Sequence, residues 1–257
     1  MLSYQHAYHA GNAADVHKHA ALAVMLDYLV RKDKPLSYIE THAGRGLYDL
    51  SSAESAKTGE ARAGVLRAEG RLPPAHPWRR RLAEARAAHG AQAYPGSPLI
   101  AALSLRRGDA MHLAELHPQE HAALDRALAP RGAHVRREDG LAMALALTPP
   151  TPRRGLMLID PSYEVKADYD ALPRLLAAVR RKWAVGVLVL WYPVLMGAAH
   201  APMLAALGAA HPDALRHEAA FPPARAGHRM VGSGLFVVNP TFGLAEALAA
   251  IADALAG

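Results

Sequence analysis

Two uninterrupted apolar runs, Leu156–Asp160 and Val185–Trp191, constrain this chain more than any other feature. Neither has the alternation of a strand with one wet face, and both are short for a buried helix. Each therefore reads as a strand covered on both sides. Strand-like runs recur at Leu36–Thr41, Met111–His117, Ala133–Arg137 and Leu235–Asn239. Helical spacing predicts helices over 119–129, 140–147 and 168–182, and another over 12–31, capped by Asn12 or Asp15. Strands alternating with helices predict an α/β fold whose mostly parallel sheet has helices on both faces. Residues 217–239 hold two strand candidates joined by a basic loop, so a terminal hairpin should complete a seven-stranded sheet with one antiparallel C-terminal strand.

Residues 50–105 have a different texture, with Arg, Ala, Glu and Pro in short helical patches and turns at Pro73-Pro74 and Tyr94-Pro95-Gly96-Ser97-Pro98. This predicts a small helical insertion within a single domain spanning 1–257. An apolar content of 51% and a charged content of 20% are those of a globular chain. The absence of cysteine excludes disulfides and thiolate metal sites. No apolar run approaches the roughly 18 residues of a membrane span, and Met1 to His9 is polar and aromatic, unlike a secretory signal. A cytoplasmic enzyme is the simplest expectation. The net charge of +6 and isoelectric point near 9.7 suit a nucleic-acid partner and equally a solvated basic surface. Arg79-Arg80-Arg81, Arg106-Arg107, Arg153-Arg154 and Arg225 to Arg229 are candidate phosphate contacts, which would count only if they converge on one side.

The chemistry-bearing residues fall at strand ends. The first strand runs into Glu40-Thr41-His42-Ala43-Gly44-Arg45-Gly46, and glycines there, Gly44 first, let backbone approach a nucleotide-like ligand at the sheet's carboxyl edge. The third glycine of a dinucleotide fingerprint is missing and the next strand lies some 60 residues on, against an NAD-type reading. Glu115, closing the second strand, either accepts ribose hydroxyls of an adenosyl group or caps the helix that follows. Asp139, closing the third, either accepts from an adenine amine or caps helix 140–147, and both can hold at once.

The fourth strand ends in Asp160-Pro161-Ser162-Tyr163, which matches the D-P-P-[YF] motif of amino-directed methyltransferases at three of four positions. An adenine N6 lone pair is delocalised into the ring. The Asp160 carboxylate and the Pro161 carbonyl can each accept one N–H and localise that pair. Tyr163 offers a stacking face worth roughly 1–3 kcal/mol. The bland alternative is a strand–turn Asp-Pro with a packed tyrosine.

The N-terminal run Tyr4 to His19 is dense in His, Tyr and Lys. Such a run can be a metal site or a lid. His17 and His19 are two apart on a helix and point to different faces, and no H-E-x-x-H accompanies them. A lid over cofactor and base, with Lys18 or His19 reaching inwards, is the better expectation.

Taken together, Y-x-H-x-x-H-A-G-N-x-A-D-V-x-K-H, E-T-H-A-G-R-G-x-Y-D-L, Y-P-G-S-P, E-L-H-P and D-P-S-Y-E are similar to the 23S ribosomal RNA adenine-N6 methyltransferases that modify adenine 2030. The resemblance runs from Tyr4 to about Asn239. It implies a Rossmann-like class I methyltransferase with S-adenosyl-L-methionine as cofactor, S-adenosyl-L-homocysteine as product and no metal. It further implies a monomer acting on 23S rRNA largely free of ribosomal proteins. By motif match, cofactor contacts would fall on Lys18, His19, His42, Ser97, Glu115, Asp139, Gly140 and Asp160, and active-site roles on Tyr4, His6, Lys18 and Asp160. Ser162 departs from the family's proline. Two further classes stay open: a DNA or other RNA amino-methyltransferase, and a non-catalytic RNA-binding protein of this fold.

Overall fold

The structure is a computed structural model that describes residues 6–62, 64–222 and 229–256. Tyr4 and Arg225, two of the residues singled out in the sequence, lie outside the described residues. In chain order the first elements are α1 (Ala13–Val30), β1 (Ser37–Glu40), β2 (Leu47–Asp49), α2 (Ala53–Thr58), α3 (Val65–Arg71), α4 (Pro77–His89) and β3 (Ala93–Pro95). Next come α5 (Ser97–Ser104), β4 (Ala110–Ala114), α6 (Pro118–Leu128), β5 (His134–Arg136), α7 (Gly140–Leu147) and β6 (Gly155–Ile159). The chain ends through α8 (Asp168–Lys182), β7 (Val187–Leu195), α9 (Ala201–Ala210), β8 (Leu215–Ala220), β9 (Met230–Val238) and α10 (Leu244–Leu255).

Seven strands form one sheet in the order β5-β4-β1-β6-β7-β9-β8. The pairs β4–β5, β1–β4, β1–β6 and β6–β7 are parallel, while β9 runs antiparallel to both β7 and β8. The sheet is thus mostly parallel with one antiparallel C-terminal member, as the sequence predicts. The period-2 geometry of a strand divides its apolar runs between two faces. Tyr38, Leu156, Leu158, Val187, Val189 and Leu235 join the core beneath α1, α5 and α10. Ile39, Met157, Ile159, Leu188, Leu190 and Phe236 join the core beneath α7, α8 and α9. Covering on both faces explains why those strands lack polar alternation.

Helix α1 is the deepest helix. Its N-cap Asn12 accepts Asp15 N–H at 2.9 Å. Asp15, His17, Lys18 and His19 are all at most 5% exposed. Residues 17, 18 and 19 point about 100° apart, so only a helix enclosed on every side gives each an internal partner. Lone buried polar groups would be costly, and here each is engaged.

Boundaries differ from expectation in instructive places. Strand β4 stops at Ala114, so Glu115 sits in the turn beyond it, held there by its carboxylate. Strand β7 continues to Leu195 and β9 begins at Met230, because the two pair along a long ribbon that tolerates Pro193 and the glycines 232 and 234. Within 50–105, Tyr94-Pro95 is not a turn. It is strand β3, paired antiparallel with β2, and Ser97-Pro98 opens α5, where proline needs no donor. Arg106 and Arg154 both bond carbonyls of the 29–34 stretch at the amino-terminal edge of the sheet, away from the strand ends that carry the candidate site. Arg79, Arg80 and Arg81 pair with Glu69, Asp27 and Glu84. Arg80, Arg106 and Arg154 thus gather around residues 27–34, where their bonds brace the fold.

Candidate active site

A parallel α/β sheet opens a crevice at the carboxyl ends of its strands where the connections diverge to either side. Here β1 is followed leftward by β4 and β5, and β6 leads rightward to β7. The loops after β1 and β6 therefore border one cleft, with a volume of about 530 Å³. His6, Lys18, His19, His42, Gly44, Ser97, Glu115, Asp139, Gly140, Asp160, Pro161 and Tyr163 all line it. Every sequence-predicted site residue except Tyr4 is thus brought together, from positions as far apart in the chain as His6 and Tyr163.

The glycine turn is shaped by close approach. Gly44 has φ +64°, a region costly for side-chain-bearing residues, and its N–H donates to Glu115 Oε2 at 2.8 Å. Glu115 Oε1 accepts from His117 N–H at 2.7 Å, ahead of α6. Glu115 therefore does brace the turn before the helix, and the same carboxylate borders the cleft. Burial pushes its carboxyl above the ordinary range, although the two backbone bonds oppose this. Arg45 grips Glu120 through two bonds of 2.9 and 2.6 Å, fixing the turn to α6. Gly140 packs so tightly that a Cβ there would lie 1.8 Å from the Thr41 carbonyl oxygen. The neighbouring Asp139 caps α7, its Oδ1 accepting from Leu141 and Ala142 N–H. Burial holds His42 below its usual pKa despite the nearby charges of Asp160 and Asp139. Its Nδ1 is 2.8 Å from Thr41 Oγ1.

At the centre stands Lys18. Its Nζ donates to Asp160 Oδ2 at 2.5 Å and lies 3.2 Å from Asp15 Oδ1. Asp15 also accepts from His6 Nε2 at 2.8 Å and from Gly11 N–H at 2.9 Å. Burial alone would raise the Asp15 carboxyl, yet His6, Lys18 and His19 together hold it well below its ordinary value. The N-terminal segment is tied in this way to the strand end that carries Asp160. His19 reaches the Tyr94 hydroxyl at 2.8 Å, and burial keeps it neutral, its pKa pushed down to about 3.

Tyr163 has φ +57°, a strained value for an aromatic residue and one often kept at functional sites. Its hydroxyl donates to the Trp191 carbonyl at 2.7 Å, and its ring centroid lies 4.8 Å from that of Tyr169. Ser162 is exposed beside it.

Three residues escaped the sequence reading as site members. Asp15 carried a signal, a carboxylate three residues before a lysine on one helix, but it read as a cap. Glu40 is fully buried beneath the cleft, accepting from the Tyr38 hydroxyl at 2.7 Å and the Ser97 hydroxyl at 2.5 Å. Burial pushes its pKa up to about 8. Trp191 lines the cleft, with Lys18 Nζ 5.4 Å from its ring centroid. Nothing in the sequence distinguished it from the other apolar residues of its strand.

The chain was compared with known proteins. A curated Escherichia coli (strain K12) protein named ribosomal RNA large subunit methyltransferase J is 38% identical over 251 residues, covering 96% of this chain and 90% of that one. The protein of the same name from Haemophilus influenzae is also 38% identical, over 95% and 89% of the two chains. A crystal structure from Legionella pneumophila str. Philadelphia 1 matches with a TM-score of 0.85 and 33% identity, over 96% and 92% of the two chains. A SAM-dependent methyltransferase from Agrobacterium tumefaciens, 13% identical with a TM-score of 0.50, covers 86% of this chain and 61% of its own and shares the fold. The family model described as ribosomal RNA large subunit methyltransferase D, RlmJ, matches residues 33–257, and the chain belongs to that family.

Proposed function

We propose that this chain methylates the N6 amine of an adenine in 23S rRNA, adenine 2030 by family resemblance, using S-adenosyl-L-methionine. The observation that carries the reading is Asp160, at the carboxyl end of β6, held in the cleft by Lys18 and followed by Pro161 and Tyr163. The names of the curated relatives support a ribosomal RNA substrate.

The site fits the cofactor. A turn that must stay close to Glu115, a glycine at 140 with no room for a Cβ and a predominantly acidic lining suit a cationic adenosyl ligand. A volume of about 530 Å³ is within the range of ligand pockets. Lys18, His19, His42, Gly44, Ser97, Glu115, Asp139, Gly140 and Asp160 would hold it. When bound it supplies a methyl group on a sulfonium, which departs as a neutral thioether.

The chain's own residues prepare the acceptor. Asp160 accepts one N–H of the adenine amine and the Pro161 carbonyl accepts the other, which localises the lone pair. Proline at 161 removes a competing donor at that position. Tyr163 receives the face of the extruded base. Lys18, between two carboxylates, keeps Asp160 aimed, and Asp160 takes the proton that the methylated amine releases. His6 closes the cleft from the N-terminal side as part of a lid, and the active-site role that the family resemblance gives Tyr4 falls outside the described residues. The helical stretch 50–105 acts as an insertion within the single domain, supporting α1 from behind. The enzyme works as a monomer in the cytoplasm on RNA largely free of ribosomal proteins, and none of these steps requires a metal. Among the described residues no helix is long and apolar enough to cross a membrane.

The decisive experiment transfers a labelled methyl group to ribosomal RNA from a strain lacking the enzyme, with mass-spectrometric mapping of the product. A single N6-methyladenine in 23S rRNA, lost in Asp160→Ala, is expected. Label on DNA, or on no nucleic acid, would overturn the reading.

A further inference from the structure

A polar chain, buried at its centre, runs sideways from the cleft through three strands and α1. Trp191 Nε1 lies 2.9 Å from Ser233 Oγ, which lies 3.0 Å from His17 Nδ1, and His17 Nε2 lies 3.1 Å from His217 Nδ1. The sheet register explains the alignment. Trp191 of β7 is paired with Leu235 of β9, and Leu235 with His217 of β8, so the side chains of Trp191, Leu235 and His217 share one face, with Ser233 two residues along. Helix α1 lies over that face and lowers His17 into it, where His17 and Ser233 are both fully buried.

An indole N–H can only donate, so Ser233 must accept from Trp191. The hydroxyl hydrogen is then donated to His17 Nδ1, and His17 Nε2–H donates to His217 Nδ1. Every group is satisfied in this one direction. Burial keeps both histidines neutral, with His17 held down at about 3, so neither puts an unpaired charge into the core. A four-member network of this kind, buried at its middle in His17 and Ser233, rigidifies what it ends on. It ends on the indole ring.

That ring stands where the acceptor must lie. Ile159 is paired in register with Leu190, so the next residues, Asp160 just past β6 and Trp191 within β7, stand side by side. Lys18 contacts both, at 2.5 Å from Asp160 Oδ2 and 5.4 Å from the Trp191 ring centroid. The Tyr163 ring is 6.0 Å from the indole at 59°, and its hydroxyl is fastened to the Trp191 carbonyl. The two rings form a corner at the loop that carries Asp160, with Lys18 reaching both the carboxylate and the indole.

We propose that Trp191 is an aromatic wall of the acceptor-base pocket, and that Ser233, His17 and His217 are positioning residues that fix its ring plane. The proposal rests on the reading of Asp160 as the group that receives a base amine.

The test uses the full chain. Trp78 and Trp183 are fully buried, whereas Trp191 is partly exposed at the cleft, so its emission should report a stacked base. Adenosine titrated in the presence of S-adenosyl-L-homocysteine should quench wild-type emission, and the quench should vanish in Trp191→Phe. Trp191→Leu should lower kcat/KM for RNA by roughly 5- to 150-fold, the loss of one base stack, with cofactor affinity by calorimetry unchanged. Ser233→Ala should raise KM for RNA more than it lowers kcat and should shift the unliganded emission of Trp191. Ser233→Thr, which keeps the hydroxyl, should restore both. Quenching that survives in Trp191→Phe, or wild-type kcat/KM in Trp191→Leu, overturns the wall. An unshifted Trp191 emission in Ser233→Ala overturns the positioning chain. Wild-type chain that is quenched by adenosine but transfers no methyl group to RNA overturns the reaction and leaves the wall standing.

Discussion

Replacing Lys18 by Met isolates the charge at the centre of the cleft while keeping the length of the apolar stem. Its side chain is 5% exposed, and its ammonium sits 2.5 Å from Asp160 and 3.2 Å from Asp15, whose side chains are 12% and 2% exposed. With an effective dielectric of about 20, the two attractions are worth about 7 and about 5 kcal/mol. Desolvating three ions returns much of that sum, so the net value of the triad is small, but removing only the cation leaves two carboxylates uncompensated. Loss of one partner from such a buried arrangement costs about 3–5 kcal/mol. Lys18→Met should therefore lower the unfolding free energy by that amount at pH 7, measured by urea denaturation. The pH dependence supplies the sign check. Asp15 is depressed in the folded chain, so its contribution is present above the unfolded carboxylate range near 4 and fades as pH falls through its folded value. The gap between wild type and variant should consequently be full at neutral pH and begin to close only as pH falls below about 4, towards the folded value of Asp15. A variant within about 1 kcal/mol of wild type at pH 7, or a gap that widens in acid, would refute the account of Lys18 as a counter-ion shared by two carboxylates.

Glu115→Ala should weaken S-adenosyl-L-methionine binding at least tenfold by calorimetry, since its carboxylate holds the glycine turn through Gly44 N–H and the start of α6 through His117 N–H, each bond worth about 1.5–3 kcal/mol; unchanged affinity would move that contact elsewhere. Gly140→Ala places a Cβ 1.8 Å from a backbone oxygen, so the variant should lose at least ~3 kcal/mol of stability or fail to fold, and wild-type thermal stability would contradict the packing. Ser162→Pro should keep turnover within about threefold, because Ser162 is exposed and makes only a 3.5 Å contact with Glu164 N–H; a collapse of kcat would give the serine a role of its own.

The sheet was legible because its strands are buried on both faces and so written as unbroken apolar runs, Leu156–Ile159 above all. The positions of Glu115, Asp139 and Asp160 followed from the same pattern, since a polar residue ending an apolar run in a parallel sheet sits at the carboxyl edge. What stayed hidden depends on residues far apart in the chain. Lys18 finds Asp160 across 142 positions and His17 finds Ser233 across 216, and no local periodicity encodes either pairing. The short strand β3 read as a turn because Pro95-Gly96-Ser97-Pro98 has turn composition, and only its partner β2 makes it a strand. Asp15 read as a cap because its neighbours Asn12 and Ala13 begin a helix; Lys18 stands three residues on along the same helix, whereas His6 becomes a partner only when the N-terminal segment folds back.

The distribution of charge answers a question that the net charge leaves open. The chain carries +6 overall, yet the cleft is lined by eight aspartates and glutamates against one lysine, Lys18, among the described residues. A basic exterior attracts RNA, while an acidic interior repels its phosphates. A neutral base that leaves the stack can enter such a cleft, and the backbone that carries it cannot follow. The same lining sorts the small ligands, because S-adenosyl-L-methionine has a net charge of about +1 and S-adenosyl-L-homocysteine a net charge near zero at neutral pH. The cationic form should be held more tightly at low ionic strength, and loss of that charge should weaken the grip of the site on its product. Because screening acts on the charged ligand alone, raising salt from 50 to 500 mM should weaken S-adenosyl-L-methionine several-fold more than S-adenosyl-L-homocysteine in paired calorimetric titrations. Parallel weakening of the two would mean that the carboxylates serve hydrogen bonding and packing, and that their charge does not discriminate substrate from product.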